Sequence, residues 1–295
     1  MPILNSIVSW ITVKRLNQIE LFKKYPINVQ REVFFRLIGD SIETEWGKKY
    51  DYKSIKTYEQ FRERVPIVDY DSLKPYIEKI RQGEKNVLWR GKVKWFAKSS
   101  GTTSDKSKFI PVTKESLDEC HFRGGKDVLA IYSNVNPNTK VFKGKGLIVG
   151  GSQQINAYDN NIYYGDLSAV LMDNLPFWVH FIRTPDLSIA LMEEWEKKIE
   201  LMAQTTSKEN VTNISGVPSW TLVLIKRILE ITGKKDVMEV WPNLELFIHG
   251  GVSFTPYRDQ YRKLIHSDKM NYLETYNASE GFFGIQDNPN TKDML

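Results

Sequence analysis

Residues 146–151 read Gly-Leu-Ile-Val-Gly-Gly, a short apolar run that ends in a glycine pair. This pattern predicts a buried strand followed by a turn. Residues 244–248 and 272–276 have the same character, and each is followed by a glycine-containing segment. Between these strands, residues 187–204 and 218–232 carry apolar side chains at helical spacing. Strands that alternate with helices predict an α/β fold with a mostly parallel sheet flanked by helices.

The N-terminal part has a different texture. Apolar residues recur at helical spacing, with an interruption at Pro26, and short helices are predicted over residues 58–61 and 72–80. The sequence therefore predicts a helical segment over residues 1–85, packed on an α/β domain over residues 86–295.

Two helices of the α/β part are predicted in more detail. Thr113 is an expected N-cap for a helix that runs through Leu129. The helix over residues 187–204 carries glutamate–lysine pairs at i,i+4, Glu193 with Lys197 and Glu194 with Lys198. Such pairs are typical of a solvent-facing side, so we expect both lysines to be exposed.

The composition excludes several classes of protein. The 295 residues are 41% hydrophobic and 26% charged, which predicts a globular protein with a substantial core. The formal net charge of +5 favours anionic ligands, but the basic residues are scattered and no nucleic-acid partner is expected. One cysteine, Cys120, excludes an internal disulfide, and the four histidines lack metal-ligand spacing. The single cysteine favours a reducing, cytoplasmic setting. No apolar run approaches the roughly 20 residues of a membrane-spanning helix, so we expect no membrane partner.

Residues 98–108 form a loop rich in small hydroxylated residues, Lys-Ser-Ser-Gly-Thr-Thr-Ser-Asp-Lys-Ser-Lys. Small residues let backbone amides approach an anion, while hydroxyls and lysine add hydrogen bonds and charge. It is not a Walker loop, since Lys106 stands where that motif requires glycine. Two interpretations stay open from these residues alone: a phosphate-binding loop or a flexible surface loop. Ligands of parallel sheets bind outside the carboxyl ends of the strands, where this loop and those after residues 149, 248 and 276 are predicted to lie.

Three segments follow one another in the order typical of adenylate-forming enzymes. Ser99-Ser-Gly-Thr-Thr103 resembles the phosphate loop of that superfamily. His249-Gly-Gly-Val-Ser-Phe254 resembles its adenine-flanking glycine pair, and Tyr276-Asn-Ala-Ser-Glu-Gly281 resembles its aromatic-x-x-Ser/Thr-Glu motif. A fourth segment, Ser215-Gly-Val-Pro-Ser-Trp220, narrows the resemblance to the auxin-responsive acyl-acid-amido synthetases and their bacterial relatives. The resemblance implies the large N-terminal α/β domain of such an enzyme.

The resemblance also implies an activity and its residues. A ligase of this type uses ATP and Mg²⁺ to adenylate a small carboxylic acid and then joins the acyl group to an amino acid. The implied nucleotide-binding residues are Ser99, Ser100, Gly101, Thr102, Thr103, Lys108, Gly250, Gly251, Tyr276, Ser279 and Glu280. Lys108 and Glu280 are the implied catalytic residues, and Glu280 would also bind Mg²⁺. Val217, Pro218 and Trp220 would line the acid pocket. Arg123 is a candidate anchor for an acidic group, although solvation alone also explains an exposed arginine.

The sequence departs from the family pattern in two places. Ser104-Asp105 stands where the family's phosphate loop carries glycine, and Leu295 comes before the family's ribose-binding aspartate and mobile C-terminal domain. We therefore expect this chain to bind nucleotide weakly and to turn over poorly. Two alternatives stay open: acyl transfer to coenzyme A, against which the Gly-Val-Pro-Ser-Trp segment argues, and a non-catalytic module that binds nucleotide or a small acid.

Overall fold

The computed structural model of the protein describes residues 14–99, 107–151, 161–288, 291 and 294–295. The N-terminal part is helical, with α1 (residues 14–24), α2 (Pro26–Ser41), α3 (Glu45–Lys49), α4 (Tyr58–Arg64) and α5 (Tyr70–Arg81). The starts of the last three are capped, because Thr44, Thr57 and Asp69 each accept a hydrogen bond from a backbone amide of the first turn. The helices predicted at 58–61 and 72–80 are confirmed within α4 and α5. The domain division at residue 85 stays a prediction.

These helices contact the rest of the molecule through specific polar pairs. Arg15 of α1 donates two hydrogen bonds to the Asp127 carboxylate, at 2.6 and 2.7 Å. Near the other end of the segment, the Phe109 amide donates to the Tyr70 hydroxyl at 2.8 Å. The helical segment is thereby joined near its start to the helix that contains Asp127, and near its end to the strand that contains Phe109.

The first sheet is a small mixed one. It consists of β1 (Trp95–Ser99), β2 (Lys108–Val112) and β4 (Tyr163–Gly165) in the order β2–β1–β4. β1 and β2 are antiparallel, with Ser99 opposite Lys108, whereas β4 runs parallel to β1. The predicted phosphate loop is therefore the stretch of chain that links the last residue of β1 to the first residue of β2.

The second sheet confirms the predicted fold class. Its strands are β3 (Lys145–Val149), β5 (Arg183–Thr184), β6 (Val211–Gly216), β7 (Leu246–Gly250), β8 (Asn271–Ala278) and β9 (Gly281–Ile285). The order is β5–β3–β6–β7–β8–β9, and all neighbours are parallel except β8 and β9. The central strand β6 is absent from the sequence prediction, which treated its last residues only as a motif.

The helices of the α/β part pack on both sheets, and several of them cover the two faces of the second sheet. They are α6 (Lys114–Ser116), α7 (Phe122–Val135), α8 (Leu167–Asp173), α9 (Leu187–Ala190), α10 (Trp195–Thr206), α11 (Pro218–Thr232), α12 (Val237–Val240) and α13 (Arg258–Leu264). Successive strand residues face opposite sides. Phe247 packs with the α10 and α11 residues Met202 and Ile225, whereas Leu246 packs with Val128 of α7 and Ile19 of α1. The sheet thus lies between two apolar layers.

Two predicted helices need correction. The helix predicted over 187–204 is divided into α9 and α10, because Glu194 adopts an extended conformation just before Trp195. Lys198 is buried and not solvent-facing, so the predicted pairing with Glu194 on an exposed side is wrong. Thr113 is confirmed as an N-cap, but the helix that follows it contains a wide turn over Leu117–His121 and runs on to Val135.

Candidate active site

The connections of the second sheet diverge at β3. The chain goes from β3 to β5 on one side of it, then crosses to β6 on the other side. In doubly wound sheets a ligand crevice opens at such a switch point, outside the carboxyl ends of the strands. The segments at this position are Gly150-Gly151 after β3 and Val217-Pro218 after β6. The predicted acid-pocket segment therefore lies where the topology predicts a ligand.

Local packing fixes the acid-pocket segment. Pro218 occupies the first turn of α11, where its missing amide hydrogen leaves no helical bond unmade. Its carbonyl oxygen accepts a hydrogen bond from the buried Tyr261 hydroxyl at 2.8 Å. Trp220 is half-buried in the same turn, with its ring centroid 5.7 Å from that of Trp195, which is 37% exposed. The two tryptophans form an aromatic surface next to the switch point.

The Gly250-Gly251 pair joins this segment to the neighbouring strand. A Cβ atom at position 250 would overlap the carbonyl oxygen of Thr275 in β8, so only glycine permits this strand spacing. Gly251 has φ +82°, and a Cβ atom there would lie 3.5 Å from Val217. The structure thus brings the predicted adenine-flanking glycines next to the predicted acid pocket.

His249, directly before the glycine pair, is a structural residue. It is 3% exposed, and its ring stacks on Phe254 with centroids 4.2 Å apart. Burial, with a smaller contribution from the charge of Arg258, lowers its pKa to about 4. The imidazole is therefore neutral near pH 7, and it packs against an aromatic cluster.

The aromatic motif lies at the tip of the β8–β9 hairpin. β8 extends to Ala278, which pairs with Gly281, so Ser279 and Glu280 form the two-residue turn. Tyr276 is 56% exposed, and its ring centroid lies 5.2 Å from that of Phe283. Glu280 is exposed, and no hydrogen bond or ion pair joins it to any residue that the structure describes. An exposed ring and an unengaged carboxylate suit base stacking and Mg²⁺ ligation.

The phosphate loop is described only at its ends. Ser100, Gly101, Thr102 and Thr103, together with Ser104-Asp105, lie outside the described residues. Ser99 and Lys108 are paired at the end of the hairpin from which the loop leaves. The Lys108 ammonium lies 5.6 Å from the Tyr70 ring centroid, and its charge adds to the hydrogen bonds from Ser72 that lower the pKa of Asp69. Lys108 thus stands at the junction between the helical segment and the hairpin.

The structure does not bring Arg123 together with the other acid-pocket residues. Arg123 is an exposed residue of α7 and lines a 250 Å³ cavity with Cys120 and Phe282. Phe282 belongs to β9, three strand spacings or about 14 Å from β6. Its role as an anchor for an acidic group stays a prediction.

Lys198 is a residue at the switch point that the sequence prediction missed. It is 1% exposed, and its ammonium donates to the carbonyl oxygens of Gly150 at 2.7 Å and Gly151 at 3.0 Å. Burial lowers its pKa to about 8, opposed by the charge of Asp166. The spacing of Trp195, Lys198, Ile199 and Met202 at i, i+3, i+4 and i+7 was the available signal, because it places Lys198 on the inward stripe of α10.

Membrane spans and clustered metal ligands are both absent from the described ranges. None of the helices described is long and apolar enough to cross a membrane. Among the same residues, no group of three or more histidine, cysteine or acidic side chains could enclose a metal ion. A metal at Glu280 would therefore need other ligands in addition to this carboxylate, as Mg²⁺ commonly has in nucleotide sites.

Comparison with known proteins agrees with the motifs. The GH3 family N-terminal domain matches residues 15–270. Indole-3-acetic acid-amido synthetase GH3.2 of Arabidopsis thaliana is 30% identical over 141 residues, which are 46% of this chain and 24% of that protein. Jasmonoyl–L-amino acid synthetase JAR6 of Nicotiana attenuata is 28% identical over 163 residues, 50% of this chain and 27% of that protein.

The same similarity is found in three dimensions. The AtGH3.15 acyl acid amido synthetase, solved in complex with 2,4-DB, superposes with a TM-score of 0.78 at 15% identity, over 96% of this chain and 58% of that chain. The matched regions cover about a quarter of the two plant synthetases. The resemblance drawn from the four motifs is confirmed, and the chain belongs to the GH3 family.

Proposed function

We propose that the protein takes part in the ATP-dependent adenylation of a small carboxylic acid, followed by amide formation with an amino acid. One observation carries the proposal: the acid-pocket segment follows β6, the glycine pair lies at the end of β7, and Tyr276 lies near the end of β8, and these three strands are adjacent and parallel. The relatives GH3.2 and JAR6 are named as amido and amino acid synthetases, which supports the same chemistry here. Residues 86–295 would form the nucleotide- and acid-binding domain.

The first step joins two anions, so the protein must position them and offset their charge. The carboxylate oxygen attacks the α-phosphorus of ATP, and pyrophosphate leaves. Lys108 and Ser99 are paired where the loop of the hairpin begins and ends, and there the lysine and the serine hydroxyl would hold the phosphate chain. Tyr276 would stack on the adenine, which Gly250 and Gly251 let approach the backbone. Mg²⁺, held by Glu280, would neutralise charge on the phosphate oxygens.

The acid would bind beside the nucleotide. Val217 is the acid-pocket residue next to the glycine pair, since a Cβ atom at Gly251 would lie 3.5 Å from it. Pro218 and Trp220 follow it in the first turn of α11. The Trp195–Trp220 pair adds aromatic surface beside this segment. In the second step, the amine of an amino acid would attack the acyl carbonyl, forming an amide and releasing AMP. None of the described side chains needs to act as a nucleophile in either step.

Pyrophosphate release tests the proposal. The chain is supplied with ATP, Mg²⁺ and a panel of aromatic and fatty carboxylic acids, and wild type is compared with Glu280→Ala. We expect acid-dependent release that falls by at least about tenfold in Glu280→Ala, since a metal ligand contributes several kcal/mol to transition-state stabilisation. Glu230→Ala removes an exposed carboxylate from the last turn of α11 and should leave release unchanged. Acid-dependent release that is equal in wild type and Glu280→Ala would remove Glu280 from the site.

An acceptor screen separates the proposal from its alternatives. Amino acids and coenzyme A are each added to an adenylating reaction, and the products are identified by mass spectrometry. Amides support the proposed function, whereas thioesters indicate an acyl-CoA ligase. Magnesium-dependent ATP binding without release of pyrophosphate under any condition would indicate a binding module.

A further inference from the structure

The wide turn at Leu117–His121 lies between the phosphate hairpin and α7. Here the Phe122 amide donates to the carbonyl oxygen of Leu117, five residues back, so the helix holds one residue more than a regular turn. Such π-turns occupy well under 1% of residues in proteins and concentrate at functional sites. In a regular helix, consecutive side chains point about 100° apart. The wide turn changes these directions, so that the adjacent residues Cys120 and His121 both contact the β8–β9 hairpin.

Adjacent residues of this turn both bind the β8–β9 hairpin. The buried His121 donates from Nδ1 to Oδ1 of Asn277 at 2.8 Å. Next to it, Cys120 Sγ accepts a hydrogen bond from the Phe282 amide at 3.1 Å. One turn later, a Cβ atom at Gly124 would lie 2.5 Å from the Phe282 ring, so the helix backbone sits directly on that ring. The turn is therefore hydrogen-bonded to both strands of the hairpin.

The two hairpin residues that the wide turn contacts, Asn277 and Phe282, are cross-strand partners. This pair is separated from the Ser279–Glu280 turn by one further pair, Ala278 with Gly281. The pairing register also shifts between Tyr276 and Asn277, which is a β-bulge. Bulges re-aim side chains and are frequent next to active sites. Thus two backbone irregularities, one in the helix and one in the strand, meet at the His121–Asn277 hydrogen bond.

Burial supports a fixed role for this bond. Desolvation lowers the pKa of His121, against the opposing effect of the Asn277 hydrogen bond. The neutral ring has one N–H, and the amide oxygen of Asn277 selects the tautomer that carries it on Nδ1. A single neutral donor thereby holds the strand between Tyr276 and Glu280.

We propose that His121 is a positioning residue, which holds Asn277 so that Tyr276 and Glu280 face the same bound MgATP. The inference rests on the proposed function. It adds that the wide turn at Leu117–His121 fixes the position of the Ser279–Glu280 turn, which would bind the metal. His121 itself touches neither substrate.

Nucleotide binding with and without metal tests the proposal. The dissociation constant of ATP is measured by calorimetry in Mg²⁺ and in EDTA, for wild type, His121→Ala and His121→Asn. We expect His121→Ala to bind MgATP about tenfold more weakly, with most of the Mg²⁺ enhancement lost, because one buried hydrogen bond is removed. Asparagine places an N–H close to the position of Nδ1, so His121→Asn should recover most of the affinity. His266→Ala, which removes an exposed histidine paired with Asp236, is the matched control.

The hydrogen-exchange rates of the amides of residues 276–284 measure the stability of the hairpin directly. His121→Ala should speed exchange at these amides, and His121→Asn should restore protection. If His121→Ala fails to fold, Asn277→Ala removes the same bond from the strand side and takes its place. Wild-type affinity and Mg²⁺ enhancement in a folded His121→Ala or Asn277→Ala protein would overturn the positioning role while leaving the proposed function intact. A wild-type chain that binds no MgATP would instead refute the proposed function, and this inference with it.

Discussion

The burial of Lys198 predicts an unusual dependence of stability on pH. Its pKa is lowered from 10.5 to about 8 in the folded protein. At 1.36 kcal/mol for each pKa unit, this difference corresponds to about 3 kcal/mol. Between these two pH values the unfolded chain holds the proton and the folded protein has released it. Since the unfolded state binds more protons there, the free energy of unfolding rises with pH, and the contribution is lost as pH falls through about 8.

The test compares wild type with Lys198→Met and with Lys197→Met. Lys197 is exposed on the adjacent position of α10, so it is a matched control for the loss of one lysine charge. Urea unfolding followed by tryptophan fluorescence should show that wild type gains about 2 kcal/mol relative to Lys198→Met between pH 7 and 10. Lys197→Met should follow wild type. Parallel curves for wild type and Lys198→Met would refute the assignment of a buried ammonium at the end of β3.

Three further predictions concern positions where packing, capping or charge pairing fixes the fold. Gly250→Ala should destabilise the protein by about 1–3 kcal/mol and weaken ATP binding, because the added methyl group meets the Thr275 carbonyl; chemical unfolding and calorimetry measure both effects, and unchanged stability would contradict the close approach. Thr113→Ala should cost about 1 kcal/mol by removing the N-cap, whereas Thr113→Ser should cost much less, as thermal unfolding would show. Arg15→Met should cost about 2 kcal/mol or more, since the largely buried Asp127 loses its guanidinium partner; a smaller loss in Arg15→Met than in a surface-pair variant such as Lys48→Met would be inconsistent with this pairing.

The sequence predicted those elements whose signals are local. The run 146–151 reads as a strand because its residues are apolar and end in glycines, and β3 lies there. The helix from Pro218 to Thr232 was predicted to its last residue, because proline starts it and Gly233, at φ +66°, ends it. The family match over residues 15–270 agrees with the resemblance drawn from the motifs, although the Tyr276–Gly281 motif lies beyond the matched range.

The features that escaped prediction depend on contacts between distant segments. β6 has only the short run Val211-Thr-Asn-Ile, and its burial comes from strands on both sides. The wide turn before Phe122 has no local signal, since the partners that hold it are Asn277 and Phe282. Lys198 was predicted to be exposed because Glu194 and Glu193 stand four residues before it and its neighbour Lys197. The apolar stripe of α10, in contrast, indicates that Lys198 is buried.

The candidate site also shows what glycine motifs can and cannot predict. Gly250 has no room for a Cβ atom because β8 approaches it, and a Cβ atom at Gly216 would lie 2.8 Å from the Val149 carbonyl oxygen. Both requirements come from strand packing and would hold without any ligand, so these glycines identify the carboxyl edge of the sheet and not its chemistry. Tyr276 and Glu280 differ, because both are exposed at the hairpin tip and Glu280 engages no described side chain. Packing does not explain the identity of Glu280, and it explains that of Tyr276 only through one contact with Phe283. The specific expectation of a nucleotide and a metal therefore rests on these two residues, and the Glu280→Ala comparison addresses it directly.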